Sequence, residues 1–153
     1  MIFKRKNISS LHLPHNKNTA ECTPVRINAP KEVLLPMDMH SGHVAEPIVA
    51  VGDYVKVGQL IAREEGRFSS PVHATVSGKV VAIEKILRPS GKEVQVIRIE
   101  NDGLMEVDSS VKAPTYTNPD EFLQAVRDSG CVGLGGAAFP TWAKLNEMRN
   151  EQY

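Results

Sequence analysis

Val51-Gly-Asp-Tyr-Val-Lys-Val-Gly-Gln-Leu-Ile61 decides the fold. Gly52 and Gly58 bracket a short run of valines. A glycine at each bend removes the steric cost of a Cβ in a tight corner, and the valines between are expected to point into one core. Gln59–Arg63 continues as a strand. Working outward, Glu32–Pro36 and Ile48–Val51 precede it as short apolar runs, and Val72–Val76, Gly78–Ile83 and Val94–Ile99 follow. Gly, Pro, Asn, Asp and Ser punctuate these runs at a spacing of about ten positions, the pattern of a small all-β sandwich or barrel. Residues 30–105 are therefore expected to form one mainly β domain. Pro47-Ile-Val leading to Val51-Gly52 is echoed by Pro71-Val-His leading to Ser77-Gly78. Spacing alone leaves open whether this is a repeat or two unrelated hairpins.

The chain has 153 residues, enough for one domain or two small ones. With 41% hydrophobic and 24% charged residues it is neither disordered, collagen-like nor a coiled coil. Lys+Arg and Asp+Glu are both 18, so the net charge is zero. That argues against a nucleic-acid partner held by phosphate electrostatics. No apolar run approaches the roughly 18 residues of a bilayer span. Met1–Asn7 is basic, but no apolar segment follows it, unlike a secretory signal. Cys22 and Cys131 lie far apart and form no CxxC pair. This fits a reducing compartment and opposes a disulfide scaffold or a self-contained zinc or iron–sulfur site. Aromatics at 5%, with 10 Pro and 11 Gly, suit short strands and tight corners better than a helical bundle.

Residues 1–29 read as an extended polar arm. His12 and His15 are three apart, but Pro14 between them opposes the helical turn that would let them share a metal. His40, His43 and His73 form a second weak metal candidate; loop and edge positions account for them as well. Residues 106–117 read as a linker, because Ser109-Ser110 and Ala113-Pro114-Thr115 carry no periodicity. From Asn118 the pattern turns helical. Asn118 is a candidate N-cap, Pro119 suits the first helical position, and Asp120 and Glu121 suit the positive end of the dipole. Gly130 is the natural stop. Trp142–Met148 can form a second helix. Cys131 is expected to be a buried structural thiol, and Trp142 to pack on the core.

Between the helices lies Gly133-Leu-Gly-Gly-Ala-Ala-Phe-Pro-Thr141. Gly133, Gly135, Gly136, Ala137 and Ala138 let a ligand approach the backbone closely. Their amides can face anionic oxygens, and a following helix N-terminus adds a favourable dipole. Phe139 offers a flat apolar face, and Lys144 can reach a phosphate from the helix. GxxxxGK[ST] is absent, and GxGxxG fits only if Ala138 stands for the last glycine. The residues themselves leave two readings, a cofactor loop or a structural turn.

This loop, with Lys144 behind it, resembles the flavin loop of the NADH-binding subunits that include the respiratory NADH dehydrogenase flavoprotein and the RnfC subunit of the Rnf electron-transport complex. The Ala-Ala form is most similar to the Rnf protein. His12-Leu-Pro14 with Lys17, Ala45-Glu-Pro47 through Ile61, Ser70–His73 through Gly78, Arg88–Lys92 and Ile99–Gly103 resemble that protein too. The resemblance implies a barrel-sandwich hybrid of the biotinyl/lipoyl kind over residues 30–105, followed at 118–153 by the helical start of an α/β FMN/NADH-binding domain. It implies that Gly133, Gly135, Gly136 and Ala137 line FMN, that Phe139 lies where the nicotinamide nucleotide binds, and that Lys144 contacts the flavin phosphate. It implies NADH oxidation through FMN, electrons passed to 4Fe-4S clusters, other subunits of a membrane electron-transport complex as partners, and a cytoplasmic position peripheral to the inner membrane.

Ser9-Ser10 stand where that family usually has glycines. The family's cysteine-rich cluster motifs and the rest of its flavin domain have no counterpart here. The chain is therefore expected to be the N-terminal portion of such a subunit and inactive by itself. Residues 118–153, short helices without the domain they should pack against, are expected to be loosely ordered. A stand-alone barrel-sandwich interaction module is the second reading. A swinging-arm carrier fails, because no lysine lies between Arg63 and Lys79, and the hairpin tip Glu64–Phe68 has no amine to acylate. That tip is expected to face a partner subunit or a non-covalent ligand.

Overall fold

A computed structural model describes residues 16–150. His12 and His15 lie outside the described residues. Seven strands precede two helices: β1 (Glu32–Pro36), β2 (Glu46–Pro47), β3 (Tyr54–Val55), β4 (Leu60–Arg63), β5 (Val72–His73), β6 (Gly78–Leu87), β7 (Glu93–Asn101), α1 (Pro119–Asp128) and α2 (Thr141–Asn150). The strands form two antiparallel sheets, ordered β1-β7-β6-β3 and β2-β4-β5.

Burial along β7 changes face between Val96 and Ile97, and the second half of the strand faces the core. Val94, Val96, Ile97 and Ile99 are buried while Gln95 and Glu100 face water. β1 sets Val33 opposite Ile99 and Leu35 opposite Ile97, so the apolar side chains share a face. β6 pairs along the whole of β7, with an irregularity between Val80 and Ala82. Leu35 and Ile97 from one sheet, with Met37 just after β1, meet Ile61, Ala62 and Val72 from the other in one core. Each buried Val, Ile or Met side chain stabilises this arrangement by about 1.5–3 kcal/mol. Outside the core, Arg98 joins Glu32 of β1 to Glu84 of β6, and Arg88 beyond β6 reaches back to Asp38 at 2.6 Å.

The deciding segment folds largely as its residues dictate. Gly58 sits at φ +81, and a Cβ there would meet Val111 Cγ2 at 2.4 Å. Val55 is fully buried. Val57, expected in the same core, instead pairs with Val107: its N–H donates to the Glu106 carbonyl, and its carbonyl accepts from Asp108. Residues 106–108, at the start of the expected linker, thus lie against the sheets. Ile48–Val51 is not a strand. Pairing with β4 reaches only as far as the Ile48 N–H, which donates to the Ile61 carbonyl at 2.9 Å; beyond it the Asp53 carboxylate accepts the Ala50 N–H at 2.8 Å and closes a turn. The two echoed segments begin at β2 and β5, strands of one sheet on opposite sides of β4.

The largest difference concerns the C-terminal segment. It is docked on the β unit: Pro140 and Ala143 are buried, and the Trp142 indole N–H donates to the Ser69 carbonyl at 3.0 Å. Among the described residues no helix is long and apolar enough to cross a membrane.

Candidate functional site

The site is built on the ends of α1 and α2. Asn118 has extended backbone, and its Oδ1 accepts the Glu121 N–H at 2.9 Å. Glu121 reaches back to the Thr117 N–H and hydroxyl, at 2.7 and 2.9 Å. These bonds satisfy donors that a helix start otherwise leaves unpaired. They also hold the Glu121 carboxyl below the usual range. α1 stops at Ser129, and Gly130 follows at φ +70.

The chain then makes a closed loop. Val132 bridges Pro140, the Gly133 N–H donates to the Phe139 carbonyl at 3.0 Å, and the Thr141 N–H donates to the Cys131 carbonyl at 3.0 Å. This neck projects Leu134–Ala137 into solvent, with the Leu134 side chain fully exposed. Gly135 and Gly136 have open space where a Cβ would stand. The amides of Gly135, Gly136 and Ala137 have no acceptor among the described residues. Lys144, in the first turn of α2, places Nζ 3.3 Å from the Cβ position of Gly133. No carboxylate among the described residues pairs with it. The loop therefore presents unpaired amides beside a cation, a combination that suits an anionic oxygen.

The structure brings Gly133 and Lys144 together and places Gly135, Gly136 and Ala137 on the same open tip. Phe139 turns the other way. Its ring packs on Phe68 with centroids 5.3 Å apart. Cys131 is exposed, not buried, because its backbone serves the neck and its side chain stays outside.

Sequence reasoning missed what holds this loop in place. The hairpin tip between β4 and β5, expected to face a partner, carries the chain's own loop. The Ser41 N–H donates to the Ala138 carbonyl at 3.1 Å. Arg127 lies over the Trp142 ring at 4.4 Å, with Nε 2.6 Å from Glu64 Oε1 in an ion pair off the hydrogen-bond line. Such contacts join residues far apart in the chain, 73 positions for Trp142 and Ser69, and leave no local pattern to read.

His40 is buried under this junction. Its Nε2 lies 2.8 Å from the His43 carbonyl, 3.3 Å from Ser69 Oγ and 3.1 Å from the Ser70 N–H. No group of three His, Cys, Asp or Glu among the described residues is placed to hold a metal. His73 sits between β5 and α1, and burial lowers its pKa against the opposing pull of Asp128. A groove of about 760 Å³, lined by His73, Val111, Lys112, Glu121 and Asp128 among others, opens beside it. None of the residues of the glycine-rich loop, nor Lys144, lines that groove.

Residues 8–104 match the family described as the RnfC barrel sandwich hybrid domain. The chain is 41% identical over 140 residues to the C subunit of the Na(+)-translocating ferredoxin:NAD(+) oxidoreductase complex of Acetobacterium woodii, covering 88% of this chain and 31% of that protein. It is 38% identical over 136 residues to the C subunit of the ion-translocating oxidoreductase complex of Rhodobacter capsulatus, covering 86% and 26%. It is 37% identical over 141 residues to the C subunit of the proton-translocating ferredoxin:NAD(+) oxidoreductase complex of Clostridium ljungdahlii, covering 88% and 30%. The chain thus spans about a quarter to a third of these relatives.

Proposed function

The chain belongs to the RnfC family through its barrel sandwich hybrid domain, and on that premise we propose that it forms part of the NADH-oxidising subunit of an ion-translocating electron-transport complex. In this reading Gly133, Gly135, Gly136, Ala137 and Lys144 would hold FMN, and the bound flavin would supply hydride acceptance from NADH and single-electron release toward 4Fe-4S clusters. The partners are the other subunits of the complex, and the location is cytoplasmic, peripheral to the inner membrane through them.

One observation carries the reading: the unpaired amides of Gly135, Gly136 and Ala137 stand on an open tip, with the Lys144 ammonium close to Gly133. The residues fit FMN. Gly133, Gly135, Gly136 and Ala137 leave room for the ring system to approach the backbone. Lys144 supplies a charge for the phosphate. Phe139, which the family resemblance sets beside the nicotinamide nucleotide, stands at the neck of the same loop with its ring packed on Phe68. Residues 1–153 by themselves are inactive in this reading, since one loop does not enclose an isoalloxazine ring.

The test is a flavin fluorescence titration on the protein purified from its native source. FMN is expected to bind, and Lys144→Gln to weaken it by about 10- to 100-fold, the scale of one charge-assisted contact. Riboflavin, which lacks the phosphate, is expected to respond little to the substitution. Equal losses for both ligands would refute the phosphate contact. Absence of flavin from the native protein would return the chain to an interaction module.

A further inference from the structure

Phe68 holds a backbone conformation that phenylalanine rarely adopts. Its φ is +57, in a region where a side chain costs energy and which persists only where the surroundings impose it. Ala138, at φ +51, shares this state and directly precedes Phe139. The two left-handed residues bring two aromatic rings, from the β4–β5 tip and from the glycine-rich loop, to a centroid separation of 5.3 Å. The surrounding chain is shaped to keep Phe68 there. Gly42 lies so close that a Cβ on it would stand 1.9 Å from the Phe68 carbonyl oxygen. The next residue back, Ser41, donates its N–H to the Ala138 carbonyl. On the following side, the Ser69 carbonyl accepts the Trp142 indole N–H. Arg67 covers the Phe68 ring from outside at 4.5 Å.

These contacts meet the loop at its neck and leave its tip open. The Phe139 carbonyl accepts the Gly133 N–H, so the position of Phe139 sets where Gly133 stands. Gly133 in turn lies beneath Lys144 Nζ. The sequence Phe68, Phe139, Gly133, Lys144 is therefore an unbroken line of contact from the barrel to the residues read as the flavin site.

We propose that Phe68, at the tip between β4 and β5, is a positioning residue for the glycine-rich loop. It acts through Phe139 and touches no ligand. The barrel's role in this chain is to set the cofactor loop. The inference rests on the flavin reading for its consequence, though not for its geometry.

Phe68→Gly and Phe68→Tyr, made in the native-length protein, test it. Glycine suits φ +57, so the first variant removes the ring without backbone strain. Amide hydrogen exchange reads the loop directly, and a flavin fluorescence titration with FMN reads the site. In Phe68→Gly the Gly133 and Thr141 amides are expected to exchange about five- to ten-fold faster, the scale of one aromatic pair. FMN affinity is expected to fall by a similar factor, while β6 and β7 keep their protection. Phe68→Tyr is expected to restore both. Unchanged exchange at Gly133 in Phe68→Gly would overturn the proposal. So would faster exchange at unchanged FMN affinity, or failure of Phe68→Tyr to restore either. If the unsubstituted protein binds no FMN, the flavin reading fails, and the exchange measurement with its tyrosine rescue still decides whether Phe68 sets the loop.

Discussion

Asp102 shows how one side chain fixes a loop. It accepts the Tyr54 hydroxyl at 2.5 Å, the Ser77 hydroxyl at 2.7 Å and the Leu104 N–H at 2.8 Å. Ser77 Oγ passes the connection on by accepting the Glu106 N–H. The Tyr54 hydroxyl, then Ser77, hold the Asp102 carboxyl below the usual range, and Asp102 holds the Tyr54 phenol above its own. Folding thus favours the ionised carboxylate. Its stabilisation is complete above the ordinary aspartate value of about 3.9 and is lost as the pH falls through the depressed native value. Asp102→Asn is expected to remove this acid-side dependence and return Tyr54 to the ordinary phenol range. An ultraviolet pH titration reads the second effect, and an unmoved tyrosine transition would show that the short contact is not maintained in solution. Gly42→Ala is a second residue-scale test. Its Cβ would collide with the Phe68 carbonyl at φ +114, and a loss of about 2–3 kcal/mol in denaturant unfolding is expected.

At the scale of elements, α1 depends on its ends. Asn118→Ala removes the cap on the Glu121 N–H and is expected to cost about 1 kcal/mol, visible as faster exchange in the first turn of α1. The other face of α1 meets His73, whose pKa is lowered first by burial, with Asp128 opposing. Folding therefore favours the neutral imidazole. Its contribution is complete above the ordinary histidine value of about 6.5 and is lost as the pH falls below it through the native value. Protection of the α1 amides, corrected for the intrinsic exchange rate at each pH, is expected to fall as the pH drops below about 6.5, and His73→Gln to abolish that dependence. A profile unchanged in His73→Gln would assign the effect elsewhere. α1 was legible because caps, first-turn acids and a glycine stop are local signals. So were β1 and β7, whose apolar runs are local too. Ile48–Val51 misled because its apolar run is overridden by one carboxylate, Asp53, closing a turn. Gly133, Gly135, Gly136 and Lys144 were legible as small residues and a cation at helical reach. Phe68, Ser69 and Ser41 were not, because their role exists only once β4–β5 and the loop have met.

For the whole molecule the question is whether barrel and loop unfold together. The barrel owns a continuous buried core, whereas the described part of α1 has no fully buried side chain. The C-terminal segment is held by Pro140 and Ala143, the Ser41-to-Ala138 backbone hydrogen bond, the Trp142 indole bond to the Ser69 carbonyl, one ring pair and the Arg127–Glu64 pair. Few buried apolar contacts mean a lower free energy of local opening. Trp142, the chain's single tryptophan, sits in this contact, so its fluorescence reports docking. In urea its emission is expected to shift before the far-ultraviolet dichroism of the strands is lost. Arg127→Met keeps much of the side chain's bulk but loses both the charge facing Glu64 and the cation over Trp142, and is expected to move the fluorescence transition to lower urea without moving the other. Coincident transitions in both proteins would mean that barrel and loop form one cooperative unit. Separate transitions would mean that the barrel can stay folded while the loop leaves it. A tip that releases the loop without unfolding can reposition the glycine-rich segment, and a tip bound into one cooperative unit can only hold it still.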